Sequence, residues 1–191
     1  MVRLMHEVET ARLRLRMFTH DDLDALTLIF ADPDVMEYLG KDGMPIEPDE
    51  TALALQSIIR HWERHGFGRW GVESKSGGGL IGCAGIRSLE GQPELVYLLA
   101  KSYWGQGLAT ELAEACLRYG FHEKHFDSIL ALTRPLNVKS RRVMEKIGMK
   151  FEKEANYFGI DVVQYVISRG EYKGDGSNYL VRELTRDGAA E

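Results

Sequence analysis

The sequence predicts an α/β (α+β) fold, and three observations on its 191 residues predict it. Residues 94–121, ELVYLLAKSYWGQGLATELAEACLRYGF, run from an apolar stretch through a Gly-x-Gly turn into an amphipathic helix. Residues 128–151 repeat that order, with an apolar strand over 128–132 and a helix bounded by Asn137 and Gly148. Before and after these blocks, period-two alternation marks further strands.

In chain order, Leu13, Leu15 and Met17 alternate as a strand does. Thr19 with Asp22 three residues on then reads as a helix entry. Residues 31–39 read as a loop between two helices, and residues 51–65 as the second of these helices. Residues 68–73 and 80–87 form a predicted hairpin whose turn is the glycine-rich 76–79. Late in the chain, residues 151–157 and 161–168 make another strand pair. The tail from Lys173 opens with a Gly-rich break and is predicted to add a short helix over Tyr179–Leu184, the alternative being a mobile end.

Composition sets the scale. Residues that are 44% hydrophobic and 28% charged suit one well-buried domain over 1–191, with its core at 11–172 and an extension at 173–191. No run of about 18 apolar residues is present, so no membrane-spanning helix is expected. MVRLMHEVET lacks a hydrophobic signal region, which points to a cytoplasmic protein. A net charge of −5 argues against a nucleic-acid partner. Cys83 and Cys116, each in an apolar context, read as buried free thiols. His61 and His65 stand four apart and His122 and His125 three apart, but neither pair has a third ligand nearby, so no metal is expected.

The strand-turn-helix block carries the chemistry. Gly105 and Gly107 permit backbone conformations that a Cβ would forbid, so the amides of Gln106, Gly107, Leu108 and Ala109 can converge on one anion. The helix that follows adds the positive end of its dipole. A phosphate or pyrophosphate is the natural guest, although a lone Gly-x-Gly is equally a tight turn. A dinucleotide fingerprint is ruled out, because Thr110 stands at the third glycine and the strand at 128–132 runs into Thr133, Arg134 and Pro135 with no acid. No lysine followed by Ser or Thr closes the turn, which excludes a P-loop. In the second block Asn137, Ser140, Val143, Met144 and Ile147 share one helical sector, so two polar residues head an apolar stripe. Asn137 is also a natural N-cap.

The ordered pair W-G-Q-G-L-A-T-E and N-x-x-S-x-x-x-x-E-K-x-G-M resembles the GNAT N-acetyltransferases, in particular their RimJ/RimL-type branch, over roughly residues 11–172. The resemblance implies a single mixed sheet, splayed near its middle, with helices on both faces, the GNAT acyl-CoA N-acyltransferase fold. It implies acetyl-CoA as acyl donor and, as acceptor, a primary amine on a small molecule or a protein or peptide N-terminus. A bulged strand from Glu94 would offer the backbone of Leu98, Leu99 and Ala100 to the pantetheine arm, with the pyrophosphate on residues 106–110 and Gly105 also at the coenzyme. Asn137 would contact the coenzyme. Ser140 would orient it or assist the leaving thiolate. Glu94 would act as base, directly or through water, while Met36, Tyr38, Tyr157 and Phe158 would line the acceptor cleft. Arg141 and Arg142 are candidates for an adenosine phosphate, with a solvated helix face as their plainer reading.

Two positions depart from the family pattern. Trp104 replaces the usual Arg or Gln before the glycine turn, which leaves phosphate binding to backbone amides. Met144 replaces the common tyrosine acid, and a thioether donates no proton. Competing readings are a silent acyl-CoA-binding module and a nucleotide-binding protein that NAD or ATP would stabilise more than acetyl-CoA.

Overall fold

In a computed structural model the protein is described over residues 5–40 and 42–184. The strands are β1 Met5–Thr10, β2 Leu13–Arg16, β3 Arg69–Ser74, β4 Leu80–Leu89, β5 Gln92–Leu99, β6 Ser128–Thr133, β7 Lys150–Tyr157, β8 Ile160–Ser168 and β9 Tyr179–Leu184. They form one sheet in the order β7-β8-β6-β5-β4-β3-β2-β1-β9. Among the described residues only β5 and β6 run parallel, and they share the single register pair Glu94↔Leu130. The sheet is therefore mixed and opens in its middle.

The helices α1 Leu23–Phe30, α2 Pro33–Met36, α3 Pro48–His65, α4 Leu108–His122 and α5 Val138–Lys146 cover both faces. One core gathers Leu95, Leu99, Leu112, Cys116, Tyr119, Ile129 and Met144 beneath α4 and α5. The other gathers Phe18, Leu26, Ile58 and Cys83 beneath α1, α2 and α3. Because strand side chains alternate, Leu95, Tyr97 and Leu99 face α4, and Glu94, Val96 and Leu98 face the other way.

Local chemistry explains where the elements begin. Thr19 and Asp22 form the anticipated reciprocal cap, although around a 3₁₀ turn, His20–Asp22, that precedes α1. Pro48 at the first helical position starts α3 three residues before the expected Thr51. The loop expected at 31–39 contains α2, nucleated by Pro33 and by Asp32, whose carboxylate accepts the Asp34 amide. Strands β4 and β5 are longer than anticipated and meet in a two-residue turn, Glu90 and Gly91. Their φ values of 49° and 85° are those a type I′ hairpin requires.

The C-terminal helix expected over Tyr179–Leu184 is instead β9, paired antiparallel along the whole of β1. Tyr179 and Val181 turn inward onto the core while Leu180 is half in solvent, a period-two pattern. Pairing to an open sheet edge outweighs local helix propensity here. The partner strand was itself unanticipated; His6, Val8 and Thr10 are buried on one face, and Glu7 between them is buried with its ion pair to Arg14. The tail beyond residue 184 lies outside the described residues.

Candidate active site

The opening between β5 and β6 is the centre of the site. Strands β4 and β5 stay in register from Gly82↔Leu99 to Leu89↔Gln92, so the bulge expected in β5 is absent. The Ala100 amide donates to the Ile81 carbonyl at 2.8 Å, and alternation then turns the backbone groups of Leu98 and Val96 toward β4. Those of Tyr97 and Leu99 turn toward β6, where the strands have already diverged. The expected backbone set is thereby corrected. Leu98 is spent in the ladder, and Ala100 is spent on Ile81 and on the Tyr103 amide, which it accepts at 2.9 Å. Tyr97 and Leu99 present backbone groups to the gap. Of these, the Leu99 carbonyl already accepts the Trp104 indole N–H at 2.7 Å.

At the end of β5 the chain turns through Gly105 and Gly107, with φ values of 75° and 77°, and α4 begins at Leu108. No side chain among the described residues caps this helix. Among the described residues, the amides of Gln106, Gly107, Leu108, Ala109 and Thr110 have no intramolecular partner. Five open donors at a 15-residue helix N-terminus make an anion cradle.

A strut from a distant part of the chain fixes its shape. Arg12 Nη1 donates to the Gln106 carbonyl at 2.8 Å, and Arg12 Nε donates to Glu111 Oε2 at 2.6 Å. Glu111 Oε1 accepts from the Arg12 amide and the Thr10 hydroxyl at 2.9 and 2.6 Å. Nothing in the sequence links Arg12 to a turn 94 residues away, so this contribution was not legible. The Lys139 ammonium stands over the Trp104 ring at 4.7 Å, adding positive charge beside the cradle.

Asn137 caps α5 as anticipated, with Oδ1 accepting the Ser140 amide at 3.1 Å. Its Nδ2 has no partner among the described residues and is free for a ligand. Tyr97 OH donates to the Ser140 carbonyl at 3.2 Å and lies 3.0 Å from Ser140 Oγ. Burial pushes the Tyr97 phenol up to about 12, so it keeps its proton at neutral pH. Met144 is fully buried in the core. Tyr97 on β5 therefore brings a protonated hydroxyl to Ser140, and Met144 brings none. The signal was Tyr97 itself, three residues beyond Glu94.

Glu94 lies on the opposite sheet face at the foot of the opening. It is 3% exposed, not a solvent-facing strand end, and Oε2 accepts from Arg87 Nε at 2.5 Å. Its Oε1 has no partner among the described residues. The anticipated acceptor residues divide. Tyr157 lines a cavity with Glu152, Gln164, Leu130 and Gln92, and its hydroxyl donates to Gln164 Oε1 at 2.9 Å. Tyr38 is half-buried on the segment after α2. Met36 belongs to the core under α1 and α3 and is no cleft residue. Phe158 sits at the β7–β8 turn with φ 55° and is 75% exposed, held outward by the turn. Arg141 is engaged by Tyr165 OH and the Pro135 carbonyl, and Arg142 is in solvent.

Both thiols are buried, and burial raises the pKa of each. No group of three or more metal-ligating side chains occurs among the described residues, and His61 and His65 stack at 4.3 Å. No helix among them is long and apolar enough to cross a membrane.

The family model described as Acetyltransferase (GNAT) domain matches residues 12–150. The protein YkkB of Bacillus subtilis (strain 168) is 37% identical over 161 residues, which cover 82% of this chain and 92% of that protein. Among solved structures, a GNAT-family acetyltransferase from Bacillus anthracis is similar with a TM-score of 0.75 at 26% identity, covering 86% of this chain and 99% of that one. RimL, the ribosomal L7/L12 alpha-N-protein acetyltransferase solved in complex with coenzyme A, has a similar fold at a TM-score of 0.70 and 19% identity, covering 83% and 95%.

Proposed function

The chain belongs to the GNAT acetyltransferase family, and from that premise we propose that it moves the acetyl group of acetyl-CoA directly onto a primary amine. The observation that carries this reading is the fan of unbonded amides at 106–110, set at the end of the strand where β5 and β6 part. The diphosphate belongs on that fan, and the pantetheine arm in the gap, paired to backbone groups of Tyr97 and Leu99. Asn137 Nδ2 is a further contact.

The thioester supplies the activated acyl group, and the protein holds it where both sheet faces can reach it. From one face, Glu94 Oε1 takes the proton released when the amine nitrogen bonds to the acyl carbon, directly or through a water. From the other, the Ser140 hydroxyl, held by Tyr97, donates toward the sulfur as the carbon–sulfur bond breaks. A thiolate leaves readily near its own pKa, so this donation assists but is not obligatory. The burial of Cys83 and Cys116 leaves no exposed thiol to carry an acyl group, which favours direct attack in a ternary complex. Two unpaired thiols also suit a reducing cytoplasm.

Serine and tyrosine contribute unequally on this account. Ser140→Ala is expected to lower kcat by about 10-fold or more, the worth of one hydrogen bond to a charged sulfur. Tyr97→Phe removes only the positioning bond, with an expected loss of roughly 3- to 10-fold. Steady-state kinetics measures both, and a tyrosine variant worse than the serine variant would make Tyr97 the direct donor.

The acceptor is either a peptide α-amine, the class named for RimL, or a small amine. Mass spectrometry of amines and peptides incubated with acetyl-CoA tests the reading. An acceptor gaining one acetyl group with release of one thiol is the expected result. Coenzyme binding without thiol release for any acceptor would leave only the silent binding module.

A further inference from the structure

The sheet face that carries Glu94 also holds a positive charge without a partner. Arg69 on β3 lies opposite Gly85 on β4, and Arg87, two residues along β4, lies opposite Glu94 on β5. The side chains of Arg69, Arg87 and Glu94 therefore share one face, with Gly85 leaving no side chain between the two arginines. Arg87 is committed to Glu94 through Nε. Arg69 accepts the Trp62 indole N–H at 2.8 Å with its carbonyl, but its guanidinium has no hydrogen bond or ion pair among the described residues.

The surrounding groups do not neutralise it. Burial, helped by the nearby charges of His65, Arg69, Arg87 and Arg64, pushes the His61 imidazole down to about 4. His61 is thus neutral at physiological pH. The Cys83 thiol is pushed up by burial and stays protonated. Two guanidiniums against one carboxylate leave this part of the sheet face with one positive charge in excess. A half-buried guanidinium without a counter-ion is costly, and the cost disappears when a ligand brings the anion.

We infer that the acceptor amine also carries a carboxylate, as a free amino acid does, with Arg69 taking the carboxylate while the amine faces Glu94. This rests on the transfer reading above and narrows its acceptor. Strands β3 and β5 are two sheet spacings apart, about 10 Å, a distance that the long arginine side chains shorten to one suited to a compact zwitterion. A polyamine would bring only charge of the wrong sign, and an ordinary peptide N-terminus has no carboxylate beside its amine.

The test compares free amino acids with their amides, together with peptides bearing free N-termini and a polyamine, by mass spectrometry and kcat/KM. The expected result is a preference of about 10- to 100-fold for the free carboxylate, the size of a charge-assisted hydrogen bond. In Arg69→Gln that preference collapses toward unity, chiefly through KM, and Arg69→Lys retains part of it. The inference is overturned if amides, peptides or polyamines match or exceed the acids, or if a folded Arg69→Gln protein keeps the preference. Should Arg69→Gln fail to fold, the acid-to-amide comparison on the unsubstituted protein decides. Turnover indifferent to the carboxylate sinks this inference alone, whereas no turnover with any acceptor sinks the transfer reading with it.

Discussion

Glu94→Gln is expected to lower kcat by roughly 10²- to 10⁴-fold, the usual range for losing a positioned general base. The substitution keeps the size of the side chain and an oxygen that can still accept from Arg87, while removing the charge and the basicity. Arg87 is 42% exposed, so its guanidinium, still hydrogen-bonded but without a counter-charge, is stabilised by water and the fold tolerates the change. The affinity for acetyl-CoA should stay within about twofold, because the cradle lies at the far end of β5 and distant sites behave independently. A kcat close to that of the unsubstituted protein, with coenzyme binding intact, would reduce Glu94 to the ion-pair partner of Arg87.

Substitutions at Gly107 should produce a graded loss of acetyl-CoA affinity. A Cβ here would stand 3.6 Å from Arg12 Nη2, an ordinary contact, so space is not the obstacle. The obstacle is φ of 77°, which Asn tolerates, Ala resists and a β-branched residue resists most. Gly107→Val must either hold a strained backbone, costing about 1–3 kcal/mol, or relax and misdirect the amides of its neighbours. Relaxation forfeits charge-assisted hydrogen bonds, so affinity should fall by about 10- to 100-fold. Calorimetric titration should rank the four residues Gly, Asn, Ala, Val in decreasing affinity. Equal affinities across the series would mean that the turn does not touch the coenzyme.

Much of this arrangement was written locally. The glycine turn, the Asn137 cap and the Gly148 stop are short-range signals, because their residue types answer to backbone geometry within a few positions. The strand beginning at Glu94 and the strand at 128–132 were legible for the same reason. What escaped depends on partners far away in the chain. Residues 179–184 become a strand only because β1 offers an open edge, and β1 is itself held from both sides. The Arg12 strut to Gln106 and Glu111, and the Tyr97 hydroxyl at Ser140, join residues separated by 94, 99 and 43 positions. Periodicity carries no trace of such pairs. Met36 was misread because a residue in a loop between helices gives no sign of which core it will enter.

The diphosphate on the amide fan, with the thiol end between β5 and β6, is the claim on which the remaining roles depend. A crystal structure of the protein with coenzyme A tests it most directly. The expected density places phosphate oxygens within about 3 Å of the amides at 106–110. It also places the pantetheine arm against Tyr97 and Leu99, with the sulfur next to Ser140. Coenzyme bound elsewhere, with that turn untouched, would contradict the account.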